Sequence, residues 1–223
     1  MQVDLTLLAD GGSDRALLRI TQWVFEQHVP AAVPVRGEVA DLSPLRDPPK
    51  TLKHRICRAV ELYPCNVLLV HRDAETQNPD KRYEEINTAY RDAQIGTACS
   101  HVCVVPVRMT EAWLLFNESA IRKAAGNPNG TISLNLPEVP DNEPNPKQVL
   151  LEALRDASGL KGRRRKLFRP EAARFTLANL IDDFAPLRRL IAFRRFEHDV
   201  QEVLHQMRSS EVPGGRSSPN LGI

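Results

Sequence analysis

The run Asn66 to Val70 (NVLLV), followed at once by His71-Arg72-Asp73-Ala74-Glu75, constrains this chain more than any other feature. A strand with no polar alternation has no face for water, so it belongs inside a parallel sheet covered on both sides. Acids placed directly after such a strand sit at its carboxyl end. That is the edge where open α/β sheets bind ligands.

The flanking pattern agrees. Val3 to Ala9 reads as a buried strand, broken by Asp10-Gly11-Gly12-Ser13-Asp14. Ser13 is placed to cap the next helix, whose apolar stripe is Ala16, Leu17, Ile20, Val24 and Phe25. Ala31 to Val35 reads as a second strand and Leu42 to Lys50 as a Pro-rich loop. Thr51 opens a helix with Leu52, Ile56, Ala59 and Val60 on one face, and Pro79 opens another that runs to about Ala93. His101 to Val105 is a fourth strand, and Met109 to Phe116 a short helical turn. Strand–helix alternation of this kind predicts an α/β fold, a mostly parallel sheet with helices on both faces.

The character changes after Gly126. Residues 1–126 form the expected α/β core, and 127–146, rich in Pro, Asn and Gly, a long loop. Residues 147–208 supply extra helices, at Lys147–Ser158, Pro170–Leu180 and Phe193–Met207. They are expected to pack on the sheet, because the segment is too short to bury a core of its own. Residues 209–223 read as a frayed tail.

Hydrophobic residues at 42% and charged residues at 26% exclude a disordered or fibrous chain. No apolar run is long enough for a membrane helix, and the start lacks the basic-then-apolar order of an export signal. A cytoplasmic protein with no membrane partner is the expectation. The four cysteines, Cys57, Cys65, Cys99 and Cys103, form no C-x-x-C pair and are expected to be reduced. Cys99, His101 and Cys103 would share one strand face, but a zinc site there lacks a fourth ligand, so buried thiols are the favoured reading. Residues 1–120 hold 13 Lys/Arg against 16 Asp/Glu, and residues 121–223 hold 17 against 12. An acidic front and a basic back suit a metal site beside a phosphate-binding surface.

Three of the four strands lead into acids: Asp10 after the first, Asp73 and Glu75 after the third, and Glu111 after the fourth. Asp73 and Glu75 are two apart, so an extended segment aims both to one side. Oxygen ligands converging at one edge suit Mg²⁺ or Mn²⁺. His71 fits either a general base or a packed structural histidine. Asp14 fits either support for the site or the start of its helix.

The segment Leu8-Ala9-Asp10-Gly11-Gly12-Ser13-Asp14 resembles the opening motif of Toprim domains, Glu-Gly-x-Ser/Thr-Asp/Glu after a strand. Val70-His71-Arg72-Asp73-Ala74-Glu75 is similar to the second Toprim motif, Asp-x-Asp after a central strand. Pro106 to Leu115, with Glu111-Ala112-Trp113-Leu114, resembles the Glu-Ala-Trp-Leu signature of a small bacterial group related to the Toprim part of OLD-type nucleases. The stretch Pro186 to Leu204 is similar to that group as well, so the likeness spans about Val3 to Met207. Two departures stand out. The family's leading Glu is Asp10 here, and its Asp-x-Asp is Asp73-x-Glu75.

The resemblance implies a Toprim-like, Rossmann-like fold and a metal-dependent nuclease that hydrolyses phosphodiester bonds in DNA or RNA. Asp73 and Glu75 would hold Mg²⁺ or Mn²⁺, Asp10 would be a ligand or general acid/base, and Glu111 a further ligand. It also implies work beside an ABC- or SMC-like ATPase, in antiviral defence. A homo-oligomer is compatible with it.

The densest charge run is Lys161-Gly162-Arg163-Arg164-Arg165-Lys166, which suits nucleic-acid phosphates or, equally, a solvated loop. Trp113 is expected in the core rather than stacked on a base. Tyr63, Tyr83 and Tyr90 lie in or beside helices, which argues against a topoisomerase nucleophile. A non-catalytic Toprim-fold binding or regulatory subunit is the main alternative, motivated by Asp10 and Glu75. A receiver-like phosphoacceptor is a third reading, but the Thr/Ser and Lys that would complete its pocket are missing.

Overall fold

The computed structural model describes residues 2–211. Its centre is a four-stranded, all-parallel sheet in the order β2-β1-β3-β4. β1 is Val3–Leu8 and continues through a 3-10 turn (Gly12–Ala16) into helix α1, Leu17–His28. Ser13 lies inside that turn rather than at its N-cap. The second strand, β2, is Val35–Val39 and not the expected Ala31–Val35. Its sequence, VRGEV, puts charges on an exposed sheet edge, so no apolar run marks it.

Helix α2, Leu52–Leu62, begins where Thr51 accepts the His54 backbone N–H. β3 is Val67–His71, buried along its whole length. Helix α3, Pro79–Ala93, opens on Pro79 with Asn78 as its cap. β4 is Ser100–Val104, and Met109 leads into a 3-10 turn, Thr110–Leu114.

Period-two alternation sorts the strands into two cores. Val3, Leu5 and Leu7 of β1, Val67 and Leu69 of β3, and Val102 and Val104 of β4 share one apolar cluster. Leu8, Leu68, Val70 and Cys103 face the opposite cluster, with Ile56 and Ala59 of α2 and Tyr83 and Ile86 of α3.

The remaining helices lie on the first face and, α6 excepted, bury residues there. They are α4 (Glu118–Ala124), α5 (Pro146–Ala157), α6 (Gly162–Leu167), α7 (Pro170–Leu177) and α8 (Ile191–Glu211). Leu150 and Leu154 of α5, Leu177 of α7 and Phe193, Phe196 and Val200 of α8 join the same cluster as β1 and α1. Helices α5, α7 and α8 thus share one apolar cluster with the sheet. The stretch before α5 carries a 3-10 turn at Pro140–Asn142 and anchors itself through buried Leu134 and Pro140. Trp113 is fully buried, edge-on to Phe193 (5.3 Å between centroids) and tilted against Phe196 (6.0 Å). Part of the expected tail, 209–211, continues α8, and 212–223 lie outside the described residues. No helix among the described residues is long and apolar enough to cross a membrane.

Candidate functional site at the carboxyl edge of the sheet

The strand order reverses between β1 and β3, so their carboxyl ends flank the crevice where doubly wound sheets place ligands. Asp10 leaves β1 and Asp73 leaves β3 at this point. The Asp10 carboxylate does not stand open. Its Oδ1 accepts from Arg72 Nη1 (2.9 Å) and Arg55 Nη1 (3.3 Å). Arg72 also reaches Glu85 (3.0 Å), and Arg82 ties Glu85 (2.9 Å) to the Asp73 carbonyl (3.1 Å).

Asp73 is held differently. Its Oδ1 accepts the Thr110 backbone N–H (3.0 Å) and lies 3.0 Å from His71 Nε2. Because an ionised carboxylate only accepts, His71 donates through Nε2. Thr110 Oγ1 closes the group at 3.3 Å from the same nitrogen. His71 is fully enclosed, and its Nδ1 is 3.7 Å from Asp14 Oδ2. Asp14 in turn accepts the Gly11 N–H (3.0 Å), fixing the turn after β1. The buried imidazole thus stands between the two carboxylates.

Glu75 is exposed, with backbone at φ +54°. Its N–H donates to the Arg108 carbonyl (3.0 Å), and its own carbonyl accepts Arg108 Nη1 (3.2 Å). Ala74 between the two acids is buried, but the left-handed backbone at Glu75 departs from the extended segment on which the two-residue spacing argument rests. Glu111 is buried and its carboxylate is paired with Arg174 from α7, itself buried.

The edge therefore carries the four expected carboxylates together with three arginines that neutralise two of them. Among the described residues no three His, Cys, Asp or Glu side chains stand close enough to hold a metal ion. Of the four expected carboxylates, Asp73 and Glu75 are those with no guanidinium on them among the described residues. Mg²⁺ is commonly held by one or two carboxylates, with water and substrate phosphate completing its shell. Asp10 and Glu111 stand as ion pairs, which leaves Asp73 and Glu75 as the expected carboxylates open to such an ion.

A cleft of about 400 Å³ adjoins Asp10 and is lined by Gly11, Gly12, Arg15, Lys50 and Arg55. Asp10 and Asp41 line it as well and pair with Arg55 (3.3 Å) and Arg15 (2.6 Å), which leaves Lys50 as the cation of the lining outside those pairs. A larger cleft of about 920 Å³ lies at the opposite, amino edge, beside Asn66 and Ser100. The basic run forms α6, which buries no residue. Arg165 bonds Asp156 (2.7 Å), while Lys161, Arg163, Arg164 and Lys166 stand exposed. No hydrogen bond or ion pair among the described residues joins them to the carboxylates. The zinc grouping does not form. His101 stacks on Tyr90 (3.9 Å) and bonds Asn87, Cys103 is buried toward Asn87, and Cys99 precedes β4 and meets Cys65.

Arg55, Arg72, Thr110 and Arg174 were not among the expected site residues. Arg72 lies inside the His71–Asp73 motif and was legible by position. Arg174 is 63 residues from Glu111, and nothing local signals it. Comparison of the chain with family models, with curated proteins and with solved structures returns no match.

Proposed function

We propose that this chain is a Toprim-type nuclease that hydrolyses phosphodiester bonds in DNA or RNA at the carboxyl edge of its sheet. The observation that best supports this reading is the arrival of Asp10, Asp73 and Glu111 at one edge, around the β1/β3 switch point. Asp73 and Glu75 would hold a divalent ion, Mg²⁺ or Mn²⁺, which would polarise the phosphate and activate water. Thr110 and His71 hold Asp73 Oδ1 and leave its other oxygen for that role.

Arg55 and Arg72 lie beside Asp10, where a phosphate oxygen would compete for the same guanidinium donors. Asp10, released from them, is the candidate acid/base group. Glu111, locked to Arg174, fixes the 3-10 turn that delivers the Thr110 N–H. The exposed cations of α6 supply sequence-independent affinity for nucleic acid. The family likeness adds a partner ATPase and a role in antiviral defence.

One observation favours a second reading, a non-catalytic Toprim-fold binding or regulatory subunit. Arginines neutralise Asp10 and Glu111, which suits anion capture better than metal ligation. Incubating the protein with mixed DNA and RNA in Mg²⁺ or Mn²⁺, beside Asp73→Ala, separates the two. Metal-dependent cutting that the substitution abolishes is expected. Nucleic-acid binding without cutting, equal in both proteins, would favour the binding subunit.

A further inference from the structure

Cys65 and Cys99 stand just ahead of β3 and β4. Those strands are neighbours, with Val67 opposite Ser100. The pairing brings two sulfurs that are 34 positions apart to 3.6 Å, with both thiols free. Cys65 is partly open to solvent. Cys99 is buried, but it lines the cleft of about 920 Å³ at the amino edge, so small oxidants reach the pair.

We infer that Cys65 and Cys99 are an oxidation site, a thiol pair that a peroxide converts into an intrachain disulfide. The site lies at the sheet edge opposite the carboxylates and does not depend on the nuclease reading. Cys65 is the attacking sulfur. A hydrogen bond from Cys99 holds the Cys65 thiol below its ordinary pKa, and that same bond, with burial, pushes Cys99 up. Thiolate is the nucleophile, and a lowered pKa raises its fraction.

The chemistry balances with one equivalent of peroxide. The Cys65 thiolate attacks one peroxide oxygen. The O–O bond breaks, an S–OH forms, and the departing hydroxide takes a proton to become water. The Cys99 sulfur then attacks the Cys65 sulfur. The S–S bond forms, the S–O bond breaks, and hydroxide leaves with the Cys99 proton as a second water. Two thiols are oxidised and one peroxide is reduced. Cys57 donates to the Ala93 carbonyl (3.8 Å) and Cys103 to Asn87 Oδ1 (3.6 Å), so neither is bonded to a partner sulfur as Cys65 and Cys99 are.

The test treats the full, native chain with a small excess of hydrogen peroxide, then alkylates it after unfolding. Two alkylated cysteines instead of four, a loss of two hydrogens in intact mass, and a Cys65–Cys99 cross-linked peptide that dithiothreitol releases are expected. In Cys99→Ser, dimedone should trap a sulfenic acid at Cys65. Four alkylated cysteines after peroxide, a cross-link through Cys57 or Cys103, or Cys65 carried to sulfinic acid without a cross-link would overturn the inference.

Discussion

Glu111 and Arg174 show how a carboxylate at a sheet edge is used before any ligand arrives. Both are buried, and each would carry an uncompensated charge without the other. Removing one partner of such a pair is costly, while replacing both with apolar groups is often close to neutral. Arg174→Ala should therefore cost ~3 kcal/mol in urea unfolding, and Glu111→Leu with Arg174→Met much less. Equal costs for the two variants would show that the pair is not what matters there. Asp73 contrasts with Glu111, since its carboxylate meets an N–H, a hydroxyl and an imidazole but, among the described residues, no guanidinium. The positions of both acids were legible in the sequence, because chain order places them after β3 and β4. Their partners were not, because Thr110 and Arg174 come from elements 37 and 63 residues away.

At the scale of elements, α8 and α6 make different demands on charge. Glu197 of α8 accepts both Arg188 Nε and Nη2 (3.0 and 2.7 Å) and lies 2.9 Å from His28 Nε2 at the end of α1. Burial pushes the Glu197 carboxyl up, but the Arg188 and His28 hydrogen bonds outweigh it and hold it below its ordinary value. A carboxyl with a depressed folded pKa stabilises fully above its unfolded pKa and loses that contribution as pH falls through the folded value. Melting temperature should thus drop as the pH falls below about 4.5, and Glu197→Gln should flatten that limb while costing ~1–2 kcal/mol near neutrality. A variant with the same acid limb as wild type would show that the α1–α8 contact does not titrate.

Helix α6 buries nothing, so its cations are removable without harm to the core. Replacing Arg163, Arg164 and Lys166 with Ala should leave melting unchanged. It should lower the slope of log affinity for duplex DNA against log salt by up to ~2.7. An unchanged slope would remove α6 from the interface. Caps and Pro starts made the beginning of α2 and both ends of α3 legible almost to the residue. The misplaced strand was β2, whose Arg36 and Glu38 alternate on an edge and leave no apolar run to read.

For the molecule as a whole, the sequence already carried the layered α/β plan, because buried parallel strands and capped helices write period and punctuation into the chain. What it did not carry was the electrostatic state of the edge. Four carboxylates in order suggested a ligand cage, yet folding brings Arg55, Arg72 and Arg174 onto two of them. The central claim is that the remaining two, Asp73 and Glu75, bind a divalent ion. Mn²⁺ titration followed by electron paramagnetic resonance, wild type beside Asp73→Asn with Glu75→Gln, tests it most directly. Bound Mn²⁺ in the wild type and its loss in the folded double variant is the result this account predicts. Mn²⁺ bound equally by both proteins, or by neither, would contradict it.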